Sequence, residues 1–276
     1  MGKGLTEQQL ESYRRDGFLH PVPIISDDEA GQMRQALEQV EADHPEALTG
    51  AGRNNPHLVL PFLDAFVHNQ RMLDVVEDLI GPDILVWATV LFIQEPNDPG
   101  YVSWHQDYTH MGLEPHAGVS AWLALTPSTV ESGCMRMIPG SHRDAILDHR
   151  DTFDEDNLLT RGQTIQGVDE SKAVDLVLQP GEISLHHPHT IHASSPNRSG
   201  ERRIGFTIQS YIPPHVRQTK IQGHVQRARG QEQHKHMIEV PRPRAVLSSD
   251  DVAMRTHING LLAELLYDGA KQQRNL

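Results

Sequence analysis

The sequence is short of several features that would have set its class at once. Cysteine occurs once in 276 residues, as Cys134, so no intrachain disulfide can form and a disulfide-stapled scaffold is excluded. Basic side chains are outnumbered, 24 Lys and Arg against 37 Asp and Glu, giving a net charge of −13. Nucleic acid and anionic membrane are thereby disfavoured as partners, because their phosphates would be repelled. Long apolar runs are missing. Ile84 to Ile93 is typical, far short of the roughly 20 residues that a membrane-spanning helix needs. Met1 to Arg15 is polar and lacks the apolar stretch of a secretory signal. Together with the lone cysteine, this predicts a cytoplasmic protein that works on a small molecule.

What is present is an ordinary globular composition, 37% hydrophobic and 22% charged, in a chain long enough for one large domain with a sizeable core. The first 82 residues read as mainly helical. Thr6 to Gln9 and Ser26 to Glu29 each have the form of a capping box, and Gly17 is a natural helix stop. Ala30, Met33, Leu37 and Val40 recur at helical spacing, Asn54 to Pro56 reads as a loop, and Met72 to Ile80 reads as a further helix ending at Gly81. After Pro82 the texture changes to short apolar runs separated by Pro and Gly turns. The spacing predicts strands over Ile84–Gln94, Val102–Asp107, Val119–Leu125, Cys134–Ile138, Val174–Leu178, Ile183–His187 and Ile204–Ile212. Many short strands of this kind imply a sandwich or barrel. The expected architecture is one domain over 1–276: mainly β with flanking α-helices around a double-stranded β-helix (jelly-roll, cupin-like) core at 83–213. A polar insertion at about 143–172, with Asp148 to Lys172 as its lid-like stretch, interrupts the core. The remaining segment, 214–276, carries a closing helix from Asp250 to Tyr267, capped by Ser248 or Ser249.

Histidine is abundant, 18 in all, and two of its placements point to a metal. In a strand over Val102–Asp107, alternation puts His105 and Asp107 on one face. A His and a carboxylate joined by a distant second His can fill one face of an octahedral ion and leave three positions open, the arrangement of non-heme Fe(II) oxygenases. The second His has to come from the His-rich stretch His186 to His192, where spacing alone leaves His187, His189 and His192 as rivals. An ordinary hydrogen-bonded pair is the bland reading of His105 and Asp107, and a solvated loop is that of the later histidines. Arg202 and Arg203 open the last predicted strand. One of them can clamp a dicarboxylate through a planar, bidentate fork that Lys cannot copy.

In combination and order, these motifs resemble the phytanoyl-CoA dioxygenase family of Fe(II)/2-oxoglutarate oxygenases. The resemblance rests on His105–Asp107, on Gly133-Cys134-Met135 leading to Pro139-Gly140-Ser141-His142, on Gly181-Glu182 leading to His187 and then His192-Ala193-Ser194, and on Asn197 followed by Arg203. The opening from Leu5-Thr6 to Asp16-Gly17-Phe18 fits as well. The resemblance implies His105, Asp107 and His192 as the Fe(II) ligands. It also implies Arg203 as the holder of 2-oxoglutarate, with Ser194 and Trp122 beside it. Glu182 departs from the family, where Asp is common. So does His110-Met111, where aromatic residues are common.

The implied reaction consumes O2 and 2-oxoglutarate, releases succinate and carbon dioxide, and hydroxylates an unactivated C–H bond. Because a chain with the carboxylate Asp107 keeps no ligand position for chloride, hydroxylation is expected rather than halogenation. His110, Met111, Arg136, Asn54 and Asn55 are the candidate substrate contacts. A small polar or anionic metabolite, amino acid-like or aminophosphonate-like, is the expected substrate, with an acyl-CoA as the alternative within the family. Outside it, the alternatives are a cupin-like hydrolase using zinc and a non-catalytic binding protein; both leave Arg203 without a role.

Overall fold

The computed structural model describes residues 2–231 and 235–274. In chain order its elements are α1 (Glu7–Asp16), β1 (Phe18–Pro23), α2 (Asp27–Asp43), α3 (Pro61–Val67), α4 (Gln70–Ile80), β2 (Ile84–Gln94), β3 (Val102–His105), β4 (Leu113–Glu114), β5 (Val119–Ala124), β6 (Met135–Met137), β7 (Val174–Asp175), β8 (Glu182–His186), β9 (His192–Ser194), β10 (Arg203–Ile212), β11 (Arg217–Gln218), β12 (His224–Arg229), β13 (Ile238–Glu239) and α5 (Ser249–Leu266). Both capping boxes form: Thr6 with Gln9 starts α1, and Ser26 with Glu29 starts α2. Gly17 ends α1 at φ 84°, a left-handed conformation that a side chain would resist. Ser248 caps α5. No described helix is long and apolar enough to cross a membrane.

The strands build a double-stranded β-helix. The larger sheet runs β1-β8-β5-β10-β2-β12-β13, the smaller β3-β9-β6-β7, and β4 pairs separately with β11. Period-two alternation gives the larger sheet two unlike faces. One face carries Leu91 and Ile93 of β2, Ala121 and Leu123 of β5, Ile183 and Leu185 of β8, and Ile204, Phe206 and Ile208 of β10. These join Leu37, Leu63, Phe66, Met72 and Leu73 of the helices in the main hydrophobic core. Each buried Leu, Ile, Phe or Met among them contributes about 1.5–3 kcal/mol, so packing against the helical layer favours this strand register. The opposite face presents Phe92, Gln94, Trp122, His186, Arg203, Thr207 and Gln209 to a cavity shared with β3, β6 and β9 of the smaller sheet.

Several boundaries differ from the sequence reading. The strand expected over Val102–Asp107 ends at His105, and Asp107 opens a short 3-10 turn to Thr109. Gln106 stays extended (φ −121°, ψ 137°), so the alternation still carries across it. Of Val174–Leu178 only the first two residues are strand, and Cys134–Ile138 shortens to β6. Asn54 to Pro56 lies among 3-10 turns at Gly50–Arg53 and Pro56–Leu58. Strands β1, β4, β9, β11, β12 and β13 are additional. β1 contains Pro21 and Pro23, which lack ladder donors; the chain tolerates them because β1 is a sheet edge. The segment 143–172 has no helix or strand beyond the end of a 3-10 turn at Ser141–Arg143 and another at Glu170–Lys172.

Candidate metal centre and cavity

His105 is the last residue of β3 and pairs directly with His192, the first of β9. That register places the two rings 4.1 Å apart, centroid to centroid. Asp107 follows one extended residue later, and its Oδ1 lies 3.7 Å from Nε2 of each histidine. Both Nδ1 atoms are engaged by main-chain carbonyls: that of His105 is 2.9 Å from Ser103 O and 3.1 Å from His192 O, and that of His192 is 2.9 Å from Thr190 O. A carbonyl only accepts, so Nδ1 carries the proton and Nε2 keeps its lone pair. Meanwhile Asp107 Oδ2 is taken up by Ser120 Oγ at 2.7 Å and His186 Nε2 at 3.0 Å. Two nitrogens and one oxygen therefore converge with free lone pairs. They are the one group of three or more such side chains among the described residues whose ligand atoms all lie within 4.8 Å of one another.

The protonation states suit a cation. Burial would raise the Asp107 carboxyl, but His192, His105 and His186 outweigh it and hold the group well below the usual carboxylate range. Burial, aided by His105, holds His192 well below the ordinary imidazole range. An ionised Asp107 beside a neutral His192 suits a divalent transition metal.

On the same cavity wall, Arg203 is 4% exposed. Its Nε donates to Ser128 Oγ at 3.2 Å and its Nη1 to Gln94 Oε1 at 2.8 Å. Its guanidinium carbon sits 4.8 Å from the Trp122 ring centroid. Gly205 makes that stacking possible: a Cβ there would fall 1.9 Å from the indole Cζ2. Burial lowers Arg203 to about 10, so it remains a cation at neutral pH. It has no carboxylate partner among the described residues. A buried cation of this kind is costly unless an anion completes it, and Ser194 and Thr207 line the same cavity. Arg202 points the other way, to Glu41 and Glu95.

The remaining sequence candidates divide. Asn54, His110 and Met111 line the cavity. Asn55 does not: it is buried, with Oδ1 accepting from Thr89 N and Nδ2 donating to Asn259, and so joins the turn to β2 and α5. Arg136 is held outside the cavity by Glu170 and Asp175 and lies over Trp104. His187 and His189 sit in a separate cluster with His116 and His142 and line no part of the cavity. Sequence reasoning passed over His186, Ser120, Gln94 and Gln209, and over Leu158, Leu159 and Leu266 at the mouth. The signal for His186 was available. In Glu182–His186 it shares the parity of Ser184, opposite the core residues Ile183 and Leu185.

Comparison with known proteins agrees with this geometry. The profile of the phytanoyl-CoA dioxygenase (PhyH) family matches residues 13–205. A protein of Stutzerimonas stutzeri named "Probable alpha-ketoglutarate-dependent hypophosphite dioxygenase" is 28% identical over 233 residues, covering 75% of this chain and 80% of the relative. Ectoine dioxygenase of Bordetella bronchiseptica is 25% identical over 199 residues, covering 65% and 63%. Among solved structures, the non-heme monooxygenase ThoJ in its apo form superposes with a TM-score of 0.82 at 31% identity, covering 94% of this chain and 97% of that one.

Proposed function

The chain belongs to the phytanoyl-CoA dioxygenase family, and from that premise we propose that it is an Fe(II)/2-oxoglutarate-dependent oxygenase that hydroxylates a C–H bond of a small molecule. The observation that carries this reading is one cavity holding both the His105, Asp107 and His192 cluster and the buried, carboxylate-free Arg203. His105, Asp107 and His192 would hold the iron on one side. Arg203, steadied by Gln94, Ser128 and Trp122, would hold the distal carboxylate of 2-oxoglutarate, with Ser194 beside it. When bound, iron and 2-oxoglutarate supply the oxidative decarboxylation that drives C–H hydroxylation. The protein's own residues fix the ligand geometry, complete the anion site and exclude water. A zinc hydrolase would use the same three ligands but would leave Arg203 buried without a task.

The cavity also bears on the substrate. Asp107 and Arg203 are the only Asp, Glu, Lys or Arg side chains that line it among the described residues. Both have assigned tasks in this reading. Burial holds His110 down at about 4, so it is neutral. The rest of the lining includes the uncharged polar residues Asn54, Gln163 and Gln209 among Met111, Leu158, Leu159 and Leu266. A phosphonate, or the phosphates of an acyl-CoA, would be desolvated there with no counter-ion. The favoured substrate is a small molecule with no uncompensated negative charge, with amide or hydroxyl groups on an aliphatic frame.

Succinate release from protein loaded with Fe(II) and 2-oxoglutarate tests this reading, using a panel of neutral metabolites beside hypophosphite, phosphonates and acyl-CoA. Stimulation is expected from neutral members. Strong stimulation by an anionic member would overturn the substrate assignment. Zinc retention with no succinate formed under any condition would overturn the oxygenase assignment itself.

A further inference from the structure

Resting on the metal-centre reading above, we propose that His186 is a positioning residue that restricts Asp107 to a single metal-facing oxygen. A carboxylate can present one oxygen or two to an ion. Here Oδ1 faces His105 and His192, while Oδ2 is turned toward Ser120 and His186. The two restraints are unequal. Ser120 has one hydroxyl proton, and its Oγ lies 2.7 Å from Asp107 Oδ2 and equally 2.7 Å from the main-chain oxygen of Gln209. It can donate to only one of them at a time. The Nε2 of His186 faces Asp107 alone, and since a carboxylate only accepts, Nε2 is the donor.

The other side of the His186 ring is equally informative. Its Nδ1 is buried and has no hydrogen-bond partner, although the residue is only 2% exposed. A buried acceptor left alone is destabilising, so packing by itself would favour Leu or Phe at this place. The polar role of this ring is therefore concentrated in the single bond from Nε2 to Asp107. The ring is also well held. His186 pairs with Phe18 on one side and Ser120 on the other, and its ring lies 4.6 Å from that of His192. A carboxylate restricted in this way occupies one coordination position and leaves three for the cosubstrate and oxygen. Freed of His186, Asp107 can turn and offer both oxygens or neither.

The test exploits where substitute donors fall. In His186→Gln the amide nitrogen reaches the place of Nε2; in His186→Asn it reaches only the place of Nδ1; His186→Leu has none. The measurement is Co(II) affinity by anaerobic titration of visible absorbance, without 2-oxoglutarate or substrate, together with thermal unfolding of the metal-free proteins. Loss of a ligand's supporting hydrogen bond weakens metal binding about 10- to 100-fold. That loss is expected for the Asn and Leu variants, with near-native affinity for Gln. The metal-free Leu variant should still unfold cooperatively, which separates loss of metal affinity from loss of the fold. Equal Co(II) affinity in all three variants, or a Gln variant as weak as Leu, overturns the proposal. His105→Ala serves as the reference. If it too keeps Co(II), the metal centre itself is misassigned; if it alone loses Co(II), only the role of His186 fails.

Discussion

Arg202 and Arg203 are neighbours in sequence with opposite surroundings. Arg202 makes two 2.8 Å hydrogen bonds to Glu41 and a third to Glu95 on the outer surface, whereas Arg203 is buried in the cavity with only neutral partners. Alternation along β10 produces this split, and it makes the pair a built-in control. Arg203→Lys keeps a charge but loses the planar fork. Losing a bidentate, charge-assisted contact costs about 1.5–3 kcal/mol, roughly a ten- to hundredfold rise in the KM for 2-oxoglutarate. Arg202→Lys should leave that KM near its native value. The check is initial rates of succinate release with 2-oxoglutarate varied; a large effect at Arg202 and none at Arg203 would reverse the assignment. At this scale the sequence was informative about which residue types matter. Which of several adjacent histidines or arginines faces inward depended on register, and register is set by pairing partners far away in the chain.

At the scale of elements, the cavity mouth rests on a segment with little structure of its own. Leu158, Leu159 and Thr160 line the cavity, yet 143–172 contains no helix or strand other than short 3-10 turns at its two ends. It is held by the end of α5 and the chain beyond it. Buried Arg161 donates to the carbonyls of Leu266 at 2.5 Å and Asp268 at 2.7 Å. Tyr267 Oη donates to Thr160 O at 3.1 Å, and Arg274 donates to the carbonyls of Asn157, Leu159 and Glu155. Arg161→Ala leaves carbonyls at the helix end unpaired, a loss of about 1–3 kcal/mol. Hydrogen exchange should quicken across 155–163 and at the end of α5 while the amides of β2 and β10 keep their protection. Unchanged exchange in 155–163 would mean that this strut does not hold the mouth. That this stretch lacks long regular elements was legible from its length and polarity. Its anchor was not, because the anchoring partners lie about a hundred residues apart. Short strands escaped for a related reason: β9 has three residues, too few for any period to register.

Across the whole molecule, buried histidines couple stability to pH. Burial, with a smaller contribution from His68, holds His57 down at about 3 from an ordinary 6.5, and its Nδ1 lies 2.7 Å from Thr89 Oγ1. His110 and His187 are pushed down to about 4, burial being the main cause for each. Below about pH 6.5 the unfolded chain takes up protons that these folded side chains refuse. Stability should therefore be full above that pH and fall as the pH drops toward 3, with His57 contributing at most about 1.4 kcal/mol per pH unit. Urea midpoints of the metal-free protein at pH 7 and pH 5 measure this. The midpoint should fall on acidification, and His57→Gln should fall by less than the parent. An equal drop in both would remove His57 from the account.

The sequence by itself determined the class of this protein. Capping boxes, Pro–Gly turns and apolar alternation are local signals, so the helix starts, the change to strands after Pro82 and the jelly-roll core could all be read along the chain. The candidate metal ligands His105 and Asp107 were likewise visible, because residues two apart in extended chain share a face. Tertiary structure decided what depends on distant parts of the chain meeting. The β3 and β9 pairing set His192 against His105; β10 turned Arg203 inward onto Trp122; β8 and β5 brought His186 and Ser120 to the far oxygen of Asp107. Tertiary structure also withdrew Asn55 and Arg136 from the cavity, because each found stronger partners elsewhere: Asn55 the main chain at Thr89 and the side chain of Asn259, Arg136 the carboxylates of Glu170 and Asp175.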